Sequence, residues 1–459
     1  MQAMRRTQLA KIIFTFAYLD ASNEAEPVPA AASPFPPYND SSLAGFEGSM
    51  SKSVKTTLLL LSFLILAFAV AGAVGVKPST GNDGAYRQLS VYSEVLSRIR
   101  SDYVEDPNIP HVSNGALHGL LEALDPNSSY MSPDEYKQYK QLGQPAAGIG
   151  AAVSKRFGYG DVISVVPGGP ADKAGLLDGD IIEALNDKST REMSLAELNG
   201  FLGGQVGSVV NLSVVRPTKA QPQKISITRD AVKYPGVSSK AIDSQIGYIR
   251  ADGFPKGRTQ EIAARVRDFQ KNGAKKLILD LRNSGDGDIA EGVSTANLFL
   301  NHGQIAYVEG QKYPRQSFTS DPSKAICNLP LVVIVNKSTA GAAEIVAGAI
   351  LDNARGDVLG DKTFGSGSIQ KTIDLQDGGA LIISIAKYYT PGGKAIQDAA
   401  ITPNVLVADK TDDFVASEDS DLTPDDNEKP EPKKNQPDEQ LRRAIEQLSK
   451  QDQKAAAAA

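Results

Sequence analysis

The chain has no tryptophan, one cysteine and only three histidines in 459 residues. The lone Cys327 excludes an intramolecular disulfide and any multi-cysteine zinc site. His111, His118 and His302 leave little material for a histidine metal cluster or a Ser-His-Asp triad. A hydrolase built on this sequence would have to work without histidine. Basic charge is also in short supply: 48 Lys+Arg stand against 54 Asp+Glu, a net charge of −6. No broad basic surface is available to neutralise phosphates, so nucleic acid is not an expected partner. The length exceeds that of one ordinary domain, so two or more are expected, with linkers.

Residues 1–49 are irregular, with a Pro/Ala stretch over 26–37, and read as disordered or as lying upstream of the true start. Met50 is a second candidate start alongside Met1. Lys52 and Lys55 precede an apolar run over residues 58–76, long enough to span a bilayer at about 1.5 Å per residue. Small residues at Ala69, Ala71 and Ala73 keep two readings of 50–77 open, a cleaved signal peptide and a retained membrane anchor. Either places the bulk of the chain on the exported side of the cytoplasmic membrane, as a periplasmic, anchored or secreted protein.

Residues 85–142 read as an N-terminal helical segment. Tyr92, Val95, Leu96 and Ile99 recur at helical spacing. A second helix is expected over 112–124, entered through Ser113 and ended at Asp125-Pro126, with a turn-rich exit to Tyr130. His118 in that helix reads as a structural histidine. Over 146–230 short alternating strands follow, interrupted by Pro167-Gly168-Gly169-Pro170-Ala171 and by Gly179-Asp180-Ile181-Ile182. This order and spacing resemble a PDZ domain, mixed β with two helices. The resemblance implies a strand–helix groove in which an extended peptide adds as a strand. Backbone N–H groups of Gly148-Ile149-Gly150-Ala151 would then capture a C-terminal carboxylate. A side chain at 148 or 150 would block close approach.

Residues 231–410 read as α/β, with strands at 246–249, 276–281, 329–335, 358–360 and 381–387 assigned to one sheet and a helix over 260–271. An acidic, proline-containing linker over 411–436 and a terminal helix over 437–451 follow; Leu441, Ala444, Ile445 and Leu448 share one face of that helix.

Strand-to-helix junctions place backbone N–H groups where negative charge is stabilised. Residues 331–352 form one, continuing Asn336-Lys337-Ser338-Thr339-Ala340-Gly341-Ala342-Ala343-Glu344-Ile345. Downstream lie Thr363-Phe364-Gly365-Ser366-Gly367-Ser368-Ile369-Gln370 and Lys387-Tyr388-Tyr389-Thr390-Pro391-Gly392-Gly393. With the PDZ unit, these ordered motifs resemble the carboxyl-terminal processing peptidases, or tail-specific proteases, over roughly residues 85–450. The resemblance implies an α/β multidomain protein with a crotonase- or Clp-protease-like peptidase core over 231–410. It also implies serine proteolysis with lysine as base, without metal or cofactor. Members cut exported proteins near their C-termini, and the PDZ domain recruits the tail or gates the site. A desolvated lysine with a lowered pKa can take the serine proton.

Position by position, the chain departs from that pattern. The nucleophilic serine belongs three residues before the Glu-Ile pair, and here that position is Gly341. The base lysine belongs in Thr-Phe-Gly-Lys-Gly, and here that position is Ser366. Asp352 and Gln370 match the supporting polar residues. The loop expected to shape the oxyanion site reads Asp280-Leu281-Arg282-Asn283-Ser284-Gly285-Asp286-Gly287; its proline is missing and Asp286 replaces a glycine. Without either dyad member, only about 10³–10⁴-fold over water is left to binding and the oxyanion hole. Asp286 would oppose a developing oxyanion if its charge points inward. Ser338 or Thr339 reads as a helix N-cap. Lys362 and Lys371 lie more than about 10 Å of extended chain from position 366. Cys327 reads as packed.

Three readings stay open. The first is an inactive member that binds C-terminal tails of exported proteins, with an active paralogue or an adaptor as a further partner. The second is an active endopeptidase with a rearranged dyad. The third is a non-enzymatic PDZ scaffold.

Overall fold

The structure is a computed structural model that describes residues 83–216, 221–408 and 438–458, with a few positions between 53 and 62. The segments 1–49 and 411–436, and nearly all of 58–76, lie outside the described residues. Among the described residues, no helix is long and apolar enough to cross a membrane. Two compact units are present, one up to Val95 and one from Leu96 onward.

Helix α1 (Asp83–Asp102) carries the helical repeat, but Tyr92 and Val95 are exposed on it. Helix α2 (Ile109–Glu122) starts earlier than expected: the Asn108 side chain accepts the His111 N–H at 3.1 Å, and Pro110 sits in the first turn, where no donor is needed. Asn108, not Ser113, is therefore its cap. The turn after it leads into a short strand, β1 (Ser129–Met131), that pairs with residues 380–382. The 85–142 segment is therefore not purely helical; three residues are too few to show a period of two. Helix α3 (Pro133–Leu142) opens with a capping box in which Ser132 and Glu135 satisfy each other's amides. Glu135 also receives His118 Nε2 at 3.3 Å, which fixes that histidine as structural.

The next unit is a sheet ordered β2-β3-β4-β6-β7, with β5 paired to β4. Its strands are β2 (Ala151–Arg156), β3 (Tyr159–Val165), β4 (Ile181–Leu185), β5 (Lys188–Ser189), β6 (Val209–Val215) and β7 (Gln223–Thr228). Helices α4 (Pro170–Lys173) and α5 (Leu195–Leu202) flank it. Alternation along β6 buries Val210, Leu212 and Val214 against Ile182, Leu198 and Ile227. Buried Arg216 closes the unit with a two-point contact to Asp180, at 2.7 and 2.8 Å.

The rest forms two sheets. One contains β8 (Ser238–Ala241), β9 (Ile246–Arg250), β10 (Lys276–Asp280), β13 (Leu331–Val335), β14 (Asp357–Gly360) and β17 (Val405–Leu406), in the order β17-β14-β13-β10-β9-β8. All its pairs are parallel except β8–β9. The order runs in one direction, so right-handed crossovers put the connecting helices on one face. These are α6 (Arg258–Lys271), α7 (Ile289–Asn297) and α8 (Ala342–Asp352), whose apolar residues pack with Ile249, Leu279, Val333 and Val358. The opposite face, with Ile246, Tyr248, Ile278, Val332, Ile334 and Leu359, is covered by the C-terminal helix α10 (Glu439–Ala458) through Ala444 and Leu448. Helix α9 (Ile396–Ala399) is a single turn. Every residue of β13 is buried, as a central parallel strand with two covered faces requires.

The other sheet is β1-β16-β11-β12, with β15 on the second edge of β16; its strands are β11 (Gln304–Glu309), β12 (Gln316–Thr319), β15 (Ser368–Asp374) and β16 (Ala380–Tyr389). This corrects the sequence assignment of residues 381–387 to the same sheet as 358–360. Alternation defines a strand, but its partners are set by long-range pairing.

Candidate active site and peptide groove

The loops that leave β10, β13 and β14 meet at the carboxyl ends of the parallel strands, where open α/β sheets hold their ligands. They are laced together by backbone and side-chain hydrogen bonds. Ala340 N–H donates to Ser284 O at 2.9 Å, and Phe364 N–H donates to Thr339 O at 3.0 Å. The Thr339 hydroxyl donates to Leu281 O at 2.9 Å and accepts Asn336 N–H at 3.0 Å. Thr339 is thus a brace between loops and does not cap α8, contrary to the sequence expectation. Ser338 does not cap it either; it lies beside the half-buried Asp178 carboxyl of the preceding unit. Burial pushes Asp178 up to about 6, against the Val165 N–H and Ser338 hydrogen bonds and the Arg250 charge.

The cap of α8 is Gly341, with φ 60° and ψ −115°. This is left-handed territory that favours glycine. A Cβ built there meets nothing within 4 Å, so the space in front of the helix N-terminus is open. Glu344, in the first turn of α8, is completely buried and turns back on the cap. Its Oε2 accepts Gly341 N–H at 2.9 Å and Ser366 N–H at 2.8 Å. Its Oε1 accepts Gly365 N–H at 2.8 Å and the Thr363 hydroxyl. One carboxylate oxygen therefore ties positions 341 and 366 together. Burial pushes the Glu344 carboxyl up to about 7, while these four donors pull the other way. Sequence reading used Glu344 only to fix register. A lone acid within Ala-Ala-Glu-Ile-Val-Ala-Gly-Ala-Ile was the signal that it needed several donors.

Asp352 is not brought to this site. It ends α8, roughly 15 Å along the axis from Gly341, and accepts Gly392 N–H at 2.8 Å. Gln370 lies on β15, where its side chain donates to Ser368 Oγ at 2.7 Å. Ser368 Oγ also accepts from Asn127 at 3.0 Å.

The 280–287 loop carries weight from the PDZ-like sheet. A Cβ at Gly285 would overlap Ser164 Oγ and lie 2.9 Å from Ser164 Cβ on β3. The absence of proline at 285 has this steric reason. The Asp286 carboxylate accepts the Tyr234 hydroxyl and, at 2.8 Å, the Gly287 N–H. Asp286 lines a cavity of about 210 Å³ together with Gly148, Ile149, Gly150, Ala151 and Tyr234. Burial and the Asp286 charge both raise the Tyr234 hydroxyl above its usual range. Gly150, with φ 74°, lets Val166 N–H reach its carbonyl at 2.8 Å. Gly148 exchanges hydrogen bonds with Asp230, donating at 3.0 Å and accepting at 3.2 Å. The connector after β7 therefore borders the glycine turn. Among the described residues, no three His, Cys, Asp or Glu side chains are grouped to hold a metal ion.

Comparison with known proteins agrees with this architecture. Residues 245–407 match peptidase family S41, and residues 162–216 match a PDZ domain. The chain is 32% identical over 336 residues to a carboxy-terminal-processing protease of Bartonella bacilliformis, covering 72% of this chain and 77% of that protein. It is 30% identical over 359 residues to carboxy-terminal processing protease CtpA of Bacillus subtilis, covering 76% and 77%. The solved photosystem II D1 C-terminal processing protease superposes with a TM-score of 0.56 at 26% identity, covering 69% of this chain and 92% of that one. The chain is an α/β multidomain protein with a PDZ domain, and it belongs to the carboxyl-terminal processing proteases of peptidase family S41.

Proposed function

We propose that this chain is a non-hydrolysing member of its family that binds C-terminal tails of exported proteins in its PDZ groove. It would act on the exported side of the cytoplasmic membrane, with residues 58–76 as signal or anchor. The observation that carries the reading is the pair of residues joined through Glu344. Gly341 offers no nucleophile, and Ser366 offers no base near neutral pH. The nearest hydroxyls in sequence have other roles: Thr339 donates to Leu281 O at 2.9 Å and Ser338 lies beside the Asp178 carboxyl, which supports inactivity over a rearranged dyad. The Gly148 amide is held by Asp230 O, contrary to its expected role in carboxylate capture, so the cavity lined by Ile149, Gly150 and Ala151 is what supports retained peptide binding. Binding without cleavage suits an adaptor for, or regulator of, an active paralogue.

The test is incubation of the purified protein with unstructured polypeptides and with short tail peptides. Binding without hydrolysis is expected, and it should weaken when the peptide carboxylate is amidated. Hydrolysis that Ser338→Ala abolishes would overturn the reading.

A further inference from the structure

The PDZ cavity combines two kinds of surface. Ile149, Leu202 and Val232 supply apolar walls, and Asp286 supplies a carboxylate from the loop after β10. Asp286 is exposed, so its charge is open to a ligand as well as to water. Among the described residues, those that line the cavity include no Lys, Arg or His. Arg258 is the cation acting on Tyr234, but it is committed elsewhere. Its nitrogens donate to Gly253 O, Glu261 and Pro235 O, each at 2.9 Å. The Gly148 amide is likewise engaged, by Asp230.

A ligand that ends in an acidic or purely apolar residue leaves Asp286 facing its terminal carboxylate with no countercharge. A lysine or arginine side chain supplies one. Its methylene stem lies on apolar walls while the charged head reaches out to the carboxylate. We propose that Asp286 is a specificity-determining residue that makes this groove select tails ending in lysine or arginine. This rests on the tail-binding reading above. Arginine suits the site better than lysine, because its planar fork can pair with a carboxylate that already holds the Tyr234 hydroxyl.

The experiment is fluorescence polarisation on the full chain with three labelled peptides, identical except for a last residue of Arg, Leu or Glu. The Arg peptide should bind about three- to tenfold tighter than the Leu peptide, the size of one partly solvated charge contact, and the Glu peptide weakest. Asp286→Asn should bring the Arg/Leu ratio close to one, and about 0.5 M salt should shrink it in the unsubstituted protein. Tyr234→Phe removes the hydroxyl but keeps the charge, so the ratio should persist. A ratio unchanged in Asp286→Asn would overturn the assignment while leaving tail binding intact. A ratio lost in both variants would assign the preference to loop shape and overturn it too. Binding of none of the three peptides would refute the tail-binding reading and this inference with it.

Discussion

Reinstalling the dyad gives the sharpest test of the candidate site. The perturbation is Gly341→Ser with Ser366→Lys. No atom lies within 4 Å of a Cβ at 341, so the serine meets no packing penalty. It must instead adopt φ 60°, ψ −115°, which costs a non-glycine residue about 1–3 kcal/mol. Ordering a lysine at the half-buried position 366 adds up to about 2 kcal/mol. The sum fits within a typical stability of about 5–15 kcal/mol, so the variant should fold with a lowered melting temperature. Nucleophile and base act as a unit, so each single variant should stay at the background rate. The double variant should exceed both by about 10²-fold or more in cleavage of an unstructured protein followed by gel and mass spectrometry. Glu344, bonded to the amide of residue 366, favours an ammonium there. The restored rate should therefore rise about tenfold per pH unit above neutrality until the lysine is deprotonated. A folded double variant no faster than the singles would refute the claim that 341 and 366 still form a reactive pair. Equal activity in Gly341→Ser alone would show that another group serves as base.

Three further outcomes follow from packing and charge. Burial pushes the Glu344 carboxyl from its ordinary 4.5 up to about 7, so the folded state holds its proton more tightly and stability falls as pH rises through that window. The loss amounts to about 3 kcal/mol, and urea midpoints of Glu344→Gln should be flatter between pH 5 and 7.5; parallel curves for the two proteins would count against the assignment. Leu448→Ala on α10 should cost about 2–5 kcal/mol, since Leu448 is fully buried on the second face of the parallel sheet; a change below about 1 kcal/mol in denaturant unfolding would mean α10 is only loosely docked. Gly285→Ala cannot coexist with Ser164 in its present place, so it should separate the 280–287 loop from β3 and speed limited proteolysis of the 229–237 connection, whereas unchanged cleavage would show that the loop yields instead.

What could be read from the sequence follows from how local each signal is. The buried run of β13 and the alternation of β6 are local patterns, and they identified strands. Residues 381–387 were equally strand-like, yet their partners are β15, β11 and β1, which lie at very different separations along the chain. Pairing across such distances leaves no trace in a window of ten residues. The position of Asp352 shows a different limit. A motif match fixed its place in the chain, but eleven residues of helix carry it to the wrong end of α8. The missing proline at 285 was visible as a departure, but its reason lies in Ser164 and Ile163, more than a hundred residues earlier.

The bracing by Glu344 also bears on why such a site would survive without its reactive groups. In an active pair the loops after β13 and β14 could be held by contact between serine and lysine. Here those loops meet through a buried carboxylate and backbone amides, none of which depends on the side chains at 341 or 366. Thr363 ties the same brace to the loop that leads into β17, through its hydrogen bond from Ile401 N–H at 2.8 Å. On the non-hydrolysing reading proposed above, the support of the site is therefore independent of the side chains at 341 and 366. On that same reading the 280–287 loop has no oxyanion to stabilise, and its Asp286 lines the PDZ cavity. On this argument Asp286 and Gly341 are linked changes. Gly341→Ser with Ser366→Lys in an Asp286→Gly background should then cleave peptides no slower than in the Asp286 background, and should lose the preference for basic tails. Retention of that preference without Asp286 would break the link.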